Sequence, residues 1–103
     1  MLKVLSLMKR KEGMSYAQFR NWALNEHPPF ALKLPGLKGY RMNVPKDENP
    51  DSPYDAISEM WWDSDEARLA GFGTEEGKAA GADAGGHCAT RFHFFAEERV
   101  VIS

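Results

Sequence analysis

The chain carries one cysteine, Cys88, among 103 residues. An internal disulfide is excluded, and a reducing, cytoplasmic compartment is expected. No apolar run approaches the ~20 residues that cross a bilayer. Lys3 interrupts the short apolar stretch at the N-terminus, and basic residues follow it rather than precede it, so no secretory signal is read there. Positive charge is not in excess, with 13 Lys and Arg against 15 Asp and Glu. No basic run exceeds Lys9-Arg10-Lys11 and the formal net charge is −2, which argues against nucleic acid or an anionic membrane as partner. His87, Cys88 and His93 match no zinc spacing and lack a fourth ligand, so no metal is expected. The glycines at 71, 73, 77, 81, 85 and 86 lead into no Gly-Lys-Ser/Thr phosphate loop. Cys88 lacks the setting of a nucleophile.

What is present describes one domain, 1–103, of ordinary soluble composition: 43% hydrophobic and 27% charged. A chain this short buries roughly 60–70% of its unfolded surface, so association with a second copy would add stability. Leu2 to Met8 alternates as a strand with apolar residues on both sides, the mark of a strand covered on both faces. Ser15-Tyr16-Ala17-Gln18 is a capping box, with Met14 and Phe19 at the staple positions. The helix it opens runs from Tyr16 to about Glu26, with Phe19, Trp22 and Ala23 as its apolar stripe. His27 precedes Pro28-Pro29. A residue before proline is pushed away from helical angles, so the helix is expected to stop there and project the imidazole into a cleft.

Leu34-Pro35-Gly36-Leu37 turns the chain into a second strand, Leu37 to Val44, carrying Tyr40. Pro45 to Pro53 reads as a long polar loop. Tyr54 to Trp62 is a third strand. One side holds Asp55, Ile57, Glu59 and Trp61; the other holds Ala56, Ser58, Met60 and Trp62. Asp63 caps a helix interrupted at Gly71-Phe72-Gly73, and Thr74 caps a second piece that Gly85-Gly86 should end. Ala89 to Ala96 is a fourth strand bearing Phe92, Phe94 and Phe95, and Val100-Val101-Ile102 form an extended tail.

The order β-α-β-β-α-β predicts an α+β, ferredoxin-like domain: an antiparallel four-stranded sheet with two helices on one face. Because the strands are apolar on both faces, the bare face needs a cover. The sheet of an identical subunit supplies it, giving a homodimeric, barrel-like assembly with a cavity in each half.

Met14 to Arg20, Glu26-His27-Pro28-Pro29, Leu34 to Tyr40 and Tyr54 to Ser64 together resemble the EthD family of dimeric α+β-barrel proteins, and Glu97 to Val100 resembles its closing strand. The resemblance spans nearly the whole chain and implies no cofactor. The family was named from a gene cluster for ether degradation. Relatives include a methylmuconolactone isomerase, and others are linked to dehydration of aromatic polyketides. His27 and Tyr40 match that isomerase's histidine and tyrosine. Met60 stands where the isomerase has a cysteine, and methionine cannot serve as that acid or base.

The expected ligand is a small apolar or aromatic metabolite. His27 reads as a proton shuttle or as a helix C-terminal cap bonding free carbonyls. Tyr40 reads as a donor to a ligand oxygen or as a cross-strand aromatic. Glu59, with Asp55 on its strand face, reads as a cavity carboxylate whose pKa is raised among Trp61 and Ile57, or as a carboxylate satisfied by a backbone or arginine partner. Met60, Trp61 and Trp62, with the three phenylalanines of the fourth strand, read as ligand-binding walls or as core and interface. Two functions are compatible with these residues. One is cofactor-free proton-transfer chemistry of the isomerase or dehydratase type. The other is a non-catalytic accessory role, handing a ligand to another enzyme of a degradation pathway.

Overall fold

The computed structural model describes residues 1–103. The chain runs β1 (Leu2–Arg10), α1 (Tyr16–Asn21), a π-helical turn (Trp22–Glu26), α2 (Pro28–Ala31), β2 (Gly39–Asn43), β3 (Ala56–Trp62), α3 (Asp65–Phe72), α4 (Glu75–His87) and β4 (Cys88–Ala96). The strands make one antiparallel sheet in the order β2-β3-β1-β4. This is the α+β, ferredoxin-like arrangement expected from the element order. Each of the two expected helices is built from two segments, and all of them pack on one face.

Register decides which side chains meet the helices. Val4 and Met8 of β1, with Ala56, Ser58 and Trp62 of β3, are buried on that face. Two apolar clusters fill the layer. One joins Met8 and Ala56 to Phe19, Trp22, Ala23 and Ala84, and the other joins Val4 and Trp62 to Ala31, Leu34 and Ala80. Trp22, Trp62 and Phe19 are the largest fully buried side chains.

Local signals account for the helix starts. The Ser15 hydroxyl accepts from Gln18 N–H, and the Gln18 side chain accepts from Ser15 N–H, completing the capping box. Thr74 Oγ1 caps α4 as expected. Ser64 rather than Asp63 caps α3, its Oγ accepting from Ala67 N–H.

Two helix ends differ from expectation. His27 keeps helical angles, φ −77° and ψ −40°. The widened turn before it gives the ring of Pro28 room, and Pro28-Pro29 start α2 where missing N–H groups cost nothing. Helix α4 continues through Gly85-Gly86 to His87. Two of its last four carbonyls are satisfied, since Cys88 N–H donates to Ala84 O and Lys11 N–H donates to His87 O. Glycine earns its place at two points. Gly36 takes φ +83° in the turn before β2, and a Cβ on Gly77 would lie 2.4 Å from Gly71 O, so only glycine lets α4 approach the end of α3.

The opposite face of the sheet has no cover within the chain. Leu5, Leu7 and Ile57 sit there half-buried, and Phe92 and Phe94 are 58% and 54% exposed. On the same face, Lys3 Nζ lies 2.8 Å from Glu59 Oε1 and 4.9 Å from the centre of the Trp61 ring.

Candidate functional site

His27 is buried, and its position follows from the irregular helix around it. The π-helical turn carries His27 N–H to Trp22 O, a five-residue step at 2.8 Å. The extra residue per turn rotates His27 inward, away from the exposed side occupied by Leu24, Asn25 and Glu26. Once inside, Nδ1 lies 2.8 Å from Asp83 Oδ2, on α4. The indole Nε1 of Trp22 donates to the same oxygen at 3.0 Å. The imidazole also packs against Trp22, with ring centres 4.8 Å apart. His87, one turn beyond Asp83, stacks on Trp22 with ring centres 4.7 Å apart.

These contacts decide the tautomer. Indole N–H only donates, so Asp83 Oδ2 is an acceptor toward Trp22, and an ionised carboxylate accepts from Nδ1 as well. The proton of neutral His27 therefore sits on Nδ1, and Nε2 carries the free lone pair. His27 closes the π-helical turn through its backbone N–H, while its side chain bonds Asp83 rather than a helix carbonyl.

His27 forms part of the wall of a cavity of about 240 Å³ between the sheet and the helices. Val4, Met8, Met60, Trp62 and Phe72 supply apolar wall, and Ser6, Ser58, Arg68, Arg91 and His93 supply the polar groups. The cavity lies on the helix side of the sheet. Its cause is simple: small residues on α4, Ala80, Gly81 and Ala84, leave space above the strands that no large side chain fills.

Of the residues singled out from sequence, His27, Met60 and Trp62 meet at this cavity. Tyr40 pairs with Met60 on the same sheet face, but its hydroxyl is buried beside the cavity without a hydrogen-bond partner. Burial pushes its phenol well above the usual range. Glu59 and Trp61 alternate to the other face, so neither shares a ligand with His27 within one chain. Glu59 does not carry the raised pKa that one of its two readings required. The Lys3 ammonium, helped by the Asn43 amide, holds its carboxyl below the usual carboxylate range and outweighs burial. Asp55 precedes β3, where Oδ2 accepts from Arg10 N–H at 3.0 Å and lies 3.4 Å from Lys9 Nζ. Phe92 and Phe94 lie on the open face, whereas Phe95 faces the helix side beneath Arg68, 4.9 Å away.

Asp83 is the residue that sequence reading missed. It is the one acid of α4 beyond the first turn, set among alanines and glycines. An isolated carboxylate on a face of small residues is a usable signal, but its partner lies 56 residues away in the chain. No three His, Cys, Asp or Glu side chains converge to hold a metal ion. Cys88 is half-buried, and burial raises its thiol to about 11, which makes it a poor nucleophile. No helix is long and apolar enough to cross a membrane.

Comparison with known proteins places the same fold in several organisms. Residues 11–89 match the family model described as the EthD domain. An EthD family protein of Bacillus halodurans is 27% identical, with a TM-score of 0.79 over 96% of this chain and 99% of that one. A dimeric ferredoxin-like protein of unknown function from Thermobifida fusca is 15% identical, with a TM-score of 0.74 over 92% of this chain and 88% of that one. SnoaB, a cofactor-independent oxygenase from Streptomyces nogalater, is 11% identical, with a TM-score of 0.66 over 95% and 92% of the two chains. Among curated proteins, none matches significantly.

Proposed function

This chain belongs to the EthD family, and on that basis we propose a homodimer that binds a small apolar or aromatic metabolite between sheet and helices and moves a proton on it without a cofactor. The observation that carries this reading is the His27–Asp83 pair in the wall of a largely apolar cavity. With Nδ1–H committed to Asp83, His27 has Nε2 left as the base. It takes a proton from a carbon next to a carbonyl, and the imidazolium that forms is stabilised by the Asp83 carboxylate. Returning the proton to another carbon isomerises the ligand. Returning it to a hydroxyl on the adjacent carbon expels water. Apolar walls exclude bulk water and strengthen each of these electrostatic interactions.

Met60 cannot donate or accept a proton at neutral pH, which concentrates the proton transfer on His27. The similarity to SnoaB supports the view that this fold accommodates catalysis without a cofactor, as an analogy of fold rather than of site. The dimer rests on the uncovered apolar face and on a dimeric relative of the same fold.

Tryptophan emission tests occupancy, because Trp62 lines the cavity. Aromatic acids, lactones and quinones form the test panel. At least one compound is expected to quench emission and raise the melting temperature, with a dissociation constant of roughly micromolar, the range open to a single ring with few polar anchors. If no compound changes either signal, the cavity is not a ligand site.

A further inference from the structure

We infer that the cavity is built for an anionic ring compound whose carboxylate is received by Arg91 beside a polar row of Ser58, Ser6 and His93, a reading that deepens the proposed function and rests on it. The row follows from strand register. Ser6 of β1 lies opposite Ser58 of β3 on one side and opposite His93 of β4 on the other. Three polar side chains thus cross an otherwise apolar floor in a single line. Ser58 is 3% exposed and both serines form part of the cavity wall, as does Trp62, whose indole N–H is buried without a hydrogen-bond partner, whereas a buried donor normally finds one. Arg91, two residues from His93 on the same strand, adds a cation at the β4 end of this row.

The two charged side chains in the cavity wall, Arg68 and Arg91, are both cationic. Arg68, Arg91, His27 and His93 form part of its wall, and no carboxylate does. Arg68 is occupied: its Nε lies 2.7 Å from Asp65 Oδ1, and its guanidinium covers the Phe95 ring. Arg91 takes part in none of the ion pairs of the chain. A guanidinium with free N–H groups at the rim of an apolar cavity fits a carboxylate better than a neutral polar group, because two parallel N–H···O bonds form. Burial, with the nearby guanidinium groups of Arg91 and Arg68, lowers the pKa of His93, leaving a neutral ring able to donate one hydrogen bond to the same anion.

This placement also suits the chemistry. A carboxylate at β4 sets the ring of the ligand between Met60 and Phe72, toward His27. Negative charge that develops as His27 removes a proton is then met by the serine hydroxyls and the cationic end of the cavity.

The test uses matched acid and amide probes, benzoate with benzamide and 2-naphthoate with 2-naphthamide, titrated calorimetrically against the whole chain. In the unaltered protein the better-fitting acid is expected to bind at least ~10-fold more tightly than its amide, the scale of a charge-assisted contact. Arg91→Gln should remove that preference while leaving amide affinity within about twofold, and Arg91→Lys should restore part of it. Equal affinity for acid and amide overturns the anion proposal and leaves the cavity a site for neutral rings. Binding of neither overturns the ligand-site reading as well. Equal loss of acid and amide in Arg91→Gln makes Arg91 a wall residue and also overturns the proposal.

Discussion

Replacing His27 by glutamine lowers turnover of a bound compound by about 10²–10⁴-fold, the usual worth of general acid–base catalysis, while ligand affinity changes by no more than a few-fold. Glutamine retains a hydrogen-bonding group of similar reach and loses only the titratable proton. Because His27 is 5% exposed and tied to Asp83, the melting temperature of the variant has to be read alongside turnover. Asp83→Asn separates the two effects further. The asparagine oxygen can still accept from the Trp22 indole and from Nδ1–H, so the tautomer is kept while the negative charge that stabilises the imidazolium is lost. Turnover should fall in both variants with binding preserved. Unchanged turnover in His27→Gln ends the catalytic role and leaves the accessory, ligand-handing function.

The second large effect concerns the open face of the sheet. At micromolar concentration the unaltered protein should sediment at twice the chain mass of 11.6 kDa. Leu5, Leu7, Ile57, Phe92 and Phe94 form its apolar centre, and the Lys3–Glu59 pair lies on the same face. This is the anatomy of an interface core with a polar surround. Phe92→Asp places an unpaired carboxylate at that centre. Breaking complementarity in a buried setting costs about 3–5 kcal/mol, so the dissociation constant should rise roughly 10²–10³-fold or more and the variant should run as a monomer. The His27 cavity lies on the other face of the sheet, so ligand binding by a folded monomer should persist. A monomeric unaltered protein at micromolar concentration would contradict the face-to-face dimer.

Local physics made much of this molecule legible from residues alone. The capping box at Ser15 and the cap at Thr74 involve groups three residues apart, and both form. Alternation along β1 and β3 divided the strands correctly into two faces, and the element order led to the sheet. What local pattern could not supply was which face the helices cover. That choice separates Met60 and Trp62 from Glu59 and Trp61, and it follows from where Phe19, Trp22 and Ala31 pack. The π-helical turn was hidden for a related reason. Pro28 signals that the hydrogen-bond ladder is disturbed, but a break and a one-residue widening satisfy that signal equally. The widening is favoured here because it buries Trp22 and His27 together against α4. The partner of Glu59 was not legible because its neighbours along β3 are apolar, while the cation that governs it sits across the sheet on β1.

The His27 ring itself offers the most direct measurement. Long-range ¹H–¹⁵N correlation NMR of the unaltered protein, in mildly alkaline solution, reports which ring nitrogen holds the proton. The Asp83–His27 contact at 2.8 Å and the Trp22 N–H on the same carboxylate oxygen require the proton on Nδ1 and a bare Nε2. The spectrum should show that tautomer, and Asp83→Ala, which removes the acceptor, should lose the preference for it. A proton found on Nε2 in the unaltered protein, with Nδ1 bare, would contradict the assignment of His27 as the base of this cavity.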